Sequence, residues 1–367
     1  MKRKRTGESL IKANLWLLMS VLSLIAGCGE STKRIDAAGA PMEDARLRWG
    51  AFFGSPFGMH FTDPERLGRH RSGFGPGETN GMLYTCRGGF IDVGHVREGA
   101  DRTAFAKDVV YRNLMENKTD FSLHIIEPSK YMVTISYPEM WQNYSQAERE
   151  AIANEISIDI GQYLAHSSLI WHEIITWYGF ATVAGFPDKI SSFSWEDSYS
   201  DLMGTCLAAA ALREAGQGYD DAMTRLFNEE LKELGVQPAA VARRAAKKIK
   251  GDWYTGGMYF FVNMKMHNFD VGHDDGMVSP VLVPGICEVS IPKLYPAPKL
   301  GSLLRYGFGF SVEMEPQIGE KNKIYNAIKL DKDRRIMPNV HFTRVIEQIR
   351  EEDNMKNAGS TIYGYEK

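Results

Sequence analysis

Cysteine is scarce: four in 367 residues, at positions 28, 86, 206 and 287, with no CxxC pair. That excludes a disulfide-stapled mini-fold and a zinc finger built on paired cysteines. Long apolar runs are missing too. The stretch Leu15–Ala26 has 12 residues, short of the about 20 that a membrane-spanning helix needs. There is no basic surplus, with 43 Lys and Arg against 46 Asp and Glu, a net charge of −3 and a pI near 6.3. A nucleic-acid partner is therefore not expected. Glycine-rich phosphate loops, the dinucleotide fingerprint, a G-x-S-x-G elbow and internal repeats are all absent. What remains is an ordinary globular composition, 44% hydrophobic and 24% charged, on a chain long enough to bury a sizeable core.

The N-terminus reads as a targeting segment. Met1 to Arg5 is MKRKR, and the apolar run ends in Leu24-Ile25-Ala26-Gly27-Cys28. This resembles a bacterial lipobox. The resemblance implies a signal peptide over 1–27, cleaved so that the mature chain of 340 residues begins at acylated Cys28. The removed segment carries a net +4, which leaves the mature protein near −7. Membrane affinity would then come from acyl chains, at about 0.8 kcal/mol per buried methylene, and not from attraction to anionic lipid. Gly29 follows the cysteine. With no Asp there to retain it on the inner membrane, the expected location is the outer membrane, facing the periplasm. Of the other three cysteines, Cys86, Cys206 and Cys287, at least one must stay free in an oxidising envelope, and spacing does not choose a pair.

Residues 28–48 read as the lipidated cysteine and a polar tether, 49–353 as one globular domain, and 354–367 as a loose tail. Within the domain, Asp92 to Asn117 has helical character with Asp92 placed to cap it. Phe121–Ile126 and Tyr131–Tyr137 alternate around Glu127-Pro128-Ser129-Lys130, a hairpin signal. Ser145-Gln-Ala-Glu148 is a capping box ahead of a helical stripe running to about Tyr178, with Gly161 as a candidate kink. A helix from about Ser194 to Ala215 follows, then others near 219–234 and 237–250. Strands and loops fill 277–313, and a closing helix covers Val340–Glu352. The fold class is α+β and helix-rich, a single domain with a β-hairpin or small sheet packed on helices.

Three polar clusters stand out. Cys86 to Asp101 holds His95 just after a glycine pair, with Arg97 and Asp101 spaced for a surface ion pair. The second is His172-Glu173-Ile-Ile-Thr176 on the long helix. The third, Glu196-Asp197-Ser-Tyr-Ser200-Asp201-Leu-Met-Gly204-Thr205, opens the next helix. Together the last two resemble the thermolysin-type gluzincin metallopeptidases, which carry HExxH on one helix and ExxSDxxGT on the next. The resemblance implies a zincin-like arrangement. His172 and Asp197 (or Glu196) would hold zinc or another divalent metal, Glu173 would be the general base, and Asp201 would orient His172. Thr176 stands where that family has its second histidine. His95 is the expected substitute as metal ligand, ahead of His166, which lies on another helix face. Asp270, His273, Asp274 and Asp275 form an acidic loop with weak calcium character. Cys86 near His95 raises a thiol nucleophile.

Over most of the mature length, YTCRGGFIDVGHVREGADRTA, HEIITWYGF, FSWEDSYSDLMG and NFDVGHDDGMVSPVLVP are similar to an uncharacterised bacterial family, domain of unknown function 4056, with many lipoproteins among its members. The combined expectation is an envelope lipoprotein that hydrolyses peptide or peptidoglycan-type substrates with a divalent metal. Its rival is a non-catalytic envelope-binding or assembly lipoprotein.

Overall fold

The computed structural model describes residues 34–35, 41–42, 45, 48, 50, 58–73, 76–181, 189, 191–259, 262–288 and 291–362. The signal peptide, Cys28 and nearly all of the tether lie outside the described residues. Residues 35–367 form one compact unit.

The chain enters that unit through a hairpin, β1 (Met82–Thr85) and β2 (Gly89–Asp92), which runs directly into helix α1 (Val93–Met115). Strands β3 (Asp120–Leu123) and β4 (Ser129–Ser136) form the second hairpin, with Leu123 opposite Tyr131. Helix α2 (Gln146–Trp177) starts at the expected capping box. Ser145 Oγ accepts from the Glu148 amide, and the Glu148 carboxylate accepts from the Ser145 amide at 2.8 Å. Then come α3 (Asp197–Arg213), α4 (Tyr219–Glu233), β5 (Val236–Gln237) and α5 (Ala239–Lys248). Strand β6 (Gly309–Pro316) and helix α6 (Pro338–Ile362) close the domain. The closing helix therefore runs past the expected Glu352.

Two antiparallel three-stranded sheets result, ordered β6–β4–β3 and β2–β1–β5. In the first, β6 pairs with all of β4, from Gly309 opposite Ser136 to Pro316 opposite Ser129. Its inner face, Tyr131, Val133 and Ile135, packs with Ile152, Ile156, Ile160 and Ile174 of α2. Each such side chain is worth about 1.5–3 kcal/mol when fully buried. The stripe seen in the sequence is real, but the second half of α2 is buried nearly all round. Its neighbours are α1, α3 and α6. Gly161 does not kink the helix. A β-carbon there would lie 2.6 Å from the Lys107 amide nitrogen, so this glycine is where α1 and α2 touch backbone to backbone. The aromatic residues Trp141, Trp177, Trp195 and Tyr199 are core residues.

Candidate functional site

Helix α1 lies against both α2 and α3, and its first turn carries His95. Asp92 ends β2 and caps α1 by accepting from the Gly94 amide at 2.7 Å, while its own amide donates to Ser200 Oγ at 3.0 Å. Two glycines let α1 and α3 approach closely. A β-carbon on Gly99 would sit 2.5 Å from the Asp201 carbonyl oxygen, and one on Gly204 only 2.0 Å from that of Val96. Side chains there would hold the helices apart. The close approach brings Asp197 and Asp201, one helical turn apart, onto the same imidazole. His95 Nδ1 lies 3.1 Å from Asp201 Oδ1, and its Nε2 lies 3.5 Å from Asp197 Oδ1.

Two more buried carboxyls complete the cluster. Glu173, on α2, accepts from the Phe193 amide. Phe193 has a left-handed φ of 53°, a costly conformation for a bulky residue and one that gathers at functional sites. Asp197 is fixed in turn, since its Oδ2 accepts from the Ser194 amide at 3.1 Å. Glu196 is 1% exposed, neither carboxyl oxygen has a partner in good hydrogen-bond geometry, and the Ser194 hydroxyl lies near enough to favour its charged form. The hydroxyls of Ser194 and Ser198 and the amide nitrogen of Asn268, all buried, lack such a partner as well. Native interiors leave few polar atoms in this state, and each one asks for an explanation.

The titrations show the excess of acid. Burial works against a charged His95, but the charges of Asp197 and Asp201 outweigh it and hold the imidazole well above its ordinary range. Burial pushes Asp201 up to about 6 in spite of its imidazolium partner. Burial and the charge of Asp197 push Glu173 up to about 8, and burial and the neighbouring carboxylates push Glu196 well above the carboxylate range.

His172 belongs to another cluster. Its Nδ1 lies 3.1 Å from Glu127 Oε1, and Glu127 takes both terminal nitrogens of Arg102, at 2.6 and 3.0 Å. Arg102 also holds Glu98 and donates to Ser168 Oγ at 3.0 Å. The Arg48 amide reaches Glu98 at 3.1 Å, and its guanidinium binds Asp101 at 2.7 Å and Glu78 at 2.6 Å. Arg97 binds the Thr79 and Leu67 carbonyls and approaches Glu78 at 3.8 Å. The expected surface pair of Arg97 and Asp101 is thus two buried residues tied to other segments. Burial opposes the charge on His172, but Glu127 outweighs it and raises His172 to about 9. In the other direction, Arg102 and His172 overcome burial and draw Glu127 down to about 2.

The structure therefore gathers His95, Asp197 and Asp201, with Glu173 close enough to sense both aspartates, and turns His172 towards Glu127. Asp201 orients His95, where the sequence suggested His172. No group of three or more His, Cys, Asp or Glu among the described residues is arranged to hold a metal ion. Sequence reasoning missed Glu127 and Arg102, and it listed Glu196 only as a substitute for Asp197. Its one available signal was position, since Glu196 immediately precedes a helix whose N-terminus favours acids. Two weaker ideas are overturned. Cys86 is bonded to Cys287, so it is no nucleophile, and Cys206 is the free cysteine among the described residues. The Asp270 carboxylate is occupied by the Gly272 and Ser279 amides, and that of Asp275 by the Met277 amide, so the acidic loop is a self-bonded turn. No helix among the described residues is long and apolar enough to cross a membrane.

Fold and site together define an α+β protein built around a buried imidazole–carboxylate cluster. The chain belongs to the family described as a protein of unknown function, DUF4056, whose match spans residues 56–259. That span holds the whole cluster, while Arg48, Cys287 and β6 lie outside it. No curated protein and no solved structure matches the chain.

Proposed function

We propose that this protein is an envelope lipoprotein with a divalent-cation-dependent hydrolase site at His95. The observation that carries the reading is charge imbalance. In the Arg102 network, Arg48, Arg97, Arg102 and His172 face Glu78, Glu98, Asp101 and Glu127, with the buried His70 3.3 Å from Asp101. Around His95, the imidazole feels Asp197, Asp201 and Asp92, with Glu196 beside them, while Glu173 lies between the two helix aspartates and His172. Buried charge without compensation costs several kcal/mol. As these side chains stand, no three of them are arranged around one point, so a divalent ion held by Glu196 and Asp197 would have to draw a further ligand towards it. Such an ion would polarise a scissile carbonyl and acidify a bound water. With a cation bound, Glu173 would give up the proton it otherwise keeps near neutral pH, take one from the attacking water and return it to the leaving amine as the carbon–nitrogen bond breaks. Asp201 fixes the imidazole. The ligand set thus differs from the one the gluzincin resemblance implies.

Export is supported by the Cys86–Cys287 disulfide, which belongs to an oxidising compartment. A peptide or peptidoglycan-type substrate is the class that an envelope location would offer such a site. A second reading, the non-catalytic binding or assembly lipoprotein, has one observation in its favour. Glu173, raised to about 8, keeps its proton at neutral pH and lowers the excess charge without a cation.

Metal analysis of the purified domain at pH 7 tests the proposal, joined to thermal melts with Mn²⁺, Zn²⁺ or Mg²⁺. Stoichiometric metal is expected, with stabilisation of about 2.7 kcal/mol at a hundredfold excess over Kd. Both should be lost in Glu196→Gln. A metal-free wild type whose melting no cation moves, and a Glu196→Gln variant at least as stable, would leave the second reading standing.

A further inference from the structure

Two consecutive peptide groups stand behind the acids of the site. In the first, the Phe193 amide donates to Glu173, and the Ser192 carbonyl oxygen accepts from His267 Nδ1 at 2.8 Å. In the second, the Ser194 amide donates to Asp197 Oδ2 at 3.1 Å, and the Phe193 carbonyl oxygen accepts from the Asn268 amide at 2.8 Å. A peptide group is planar, with its oxygen and its N–H on opposite sides. Whatever fixes the oxygen therefore aims the N–H. Phe193, between the two groups, has the left-handed φ of 53°, which a bulky residue keeps only where its surroundings enforce it. The enforcing segment is itself anchored. The His267 ring meets Trp177 edge to face at 5.3 Å, its Nε2 lies 3.8 Å from Asp353 Oδ1 on α6, and the Phe269 ring packs on that of Phe193 at 5.1 Å. His267, Asn268 and Asp353 all lie beyond residue 259, where the family match ends.

We propose that His267 and Asn268 form a clamp that holds the Ser192–Ser194 turn in its left-handed conformation and so aims the Phe193 and Ser194 amides at Glu173 and Asp197. The proposal rests on the reading of those two acids as working groups of the site, and it deepens that reading by naming what sets them in place. Both clamp residues act through backbone and not on the reacting groups, so they are positioning residues. The site is then completed by a segment outside the family match. A carbonyl oxygen only accepts, so His267 carries a proton on Nδ1. Asparagine can replace that donor, because its amide nitrogen is also bonded to the γ-carbon. Glutamine places its nitrogen one bond further out and cannot.

Amide hydrogen exchange, followed by NMR in the full-length protein carrying isotope-labelled phenylalanine, tests the clamp. The Phe193 signal is identified by its absence in Phe193→Leu. In wild type, Glu173→Gln should shift that signal, because the amide serves Glu173. In His267→Ala the Phe193 amide should exchange at least about tenfold faster, and Glu173→Gln should no longer shift it. His267→Asn should restore both properties, and His267→Gln should not. The Phe105 amide, inside α1, opens only with the helix and should keep its rate, which separates a loosened turn from a lost fold. If His267→Ala does not fold, the Asn and Gln variants decide alone. Equal Phe193 protection in those two variants overturns the clamp, and so does a Phe193 signal that Glu173→Gln leaves unmoved in wild type. A metal-free wild type that shows the expected pattern ends the cation reading and keeps the clamp.

Discussion

Breaking the Cys86–Cys287 bond is the perturbation whose size can be worked most directly. The two cysteines are 201 residues apart in sequence. In the chain-entropy picture, closing a loop of that length removes about 18 cal/mol/K from the unfolded ensemble, or about 5 kcal/mol at 25 °C. The bond joins the turn between β1 and β2 to the segment that passes over it. That segment is pinned in two further places. Tyr84 Oη accepts from the Val283 amide at 3.0 Å, and a β-carbon on Gly89 would meet the Val281 carbonyl oxygen at 2.3 Å. The native contacts should therefore survive reduction, and the loss should appear mainly in the unfolded state. With an unfolding entropy of roughly 2.1 cal/mol/K per residue over roughly 300 ordered residues, about 5 kcal/mol lowers Tm by roughly 8 °C. The assay is urea and thermal denaturation of Cys86→Ala/Cys287→Ala against the parent, both carrying Cys206→Ser so that no free thiol can exchange. If the double variant lost less than about 1 kcal/mol at an unchanged m-value, the bond would not be closing that loop in the folded protein.

Two other outcomes are expected. His172, raised from 6.5 to about 9, contributes stability that is complete below pH 6.5 and disappears as pH rises through 9. The stability difference between wild type and His172→Gln should therefore shrink by roughly 3 kcal/mol between pH 6.5 and 9.5, at about 1.36 kcal/mol per unit. Glu173 also feels His172 and would shift upwards in the variant, so the difference is read together with the Glu173→Gln background, where a flat difference would mean that Glu127 does not hold His172 charged. Cys28→Ser should move the protein from the membrane fraction to the soluble one and abolish palmitate labelling. Equal labelling of variant and parent would end the lipobox reading.

How far the sequence could be read depended on the range of the interactions. Helix α2 announced itself through Ser145 and Glu148, three residues apart, and the β3–β4 hairpin through alternation around a short turn. His95, Asp197 and Asp201 could be nominated because an acid-rich helix start and a glycine-flanked histidine are local signals. The partner of His172 was not local. Glu127 sits in a hairpin turn, where a glutamate usually faces water, and Arg102 is a charged residue in a helix that proves to be buried on most sides. Arg97 and Asp101 read as a surface ion pair because their compensating groups, Arg48 and Glu78, come from distant segments. The β4–β6 pairing and the Cys86–Cys287 bond have the same cause: each joins segments far apart in the sequence, Ser136 to Gly309 and Cys86 to Cys287.

The two buried polar clusters then ask for different explanations. The Arg102 network joins Arg48, the 70–79 segment, α1, the turn at Glu127 and α2, and it pairs its arginines with acids. Well-packed apolar side chains could often replace such a network at no loss of stability, so its role is to fix which segments meet. The His95 cluster cannot be explained in the same way. Its buried Glu196, the strained Phe193 that holds Glu173, and the crowded carboxyls all cost stability. The glycines at 99 and 204 are there to press them together. Cost concentrated at one place, with His95, Glu173, Glu196 and Asp201 all raised, is the pattern of a site kept for its chemistry. Glu196→Gln makes the distinction measurable, because it removes the acid that an ion would need ionised and keeps the shape. A structural cluster should gain stability from the change, whereas a cation site should lose its ion.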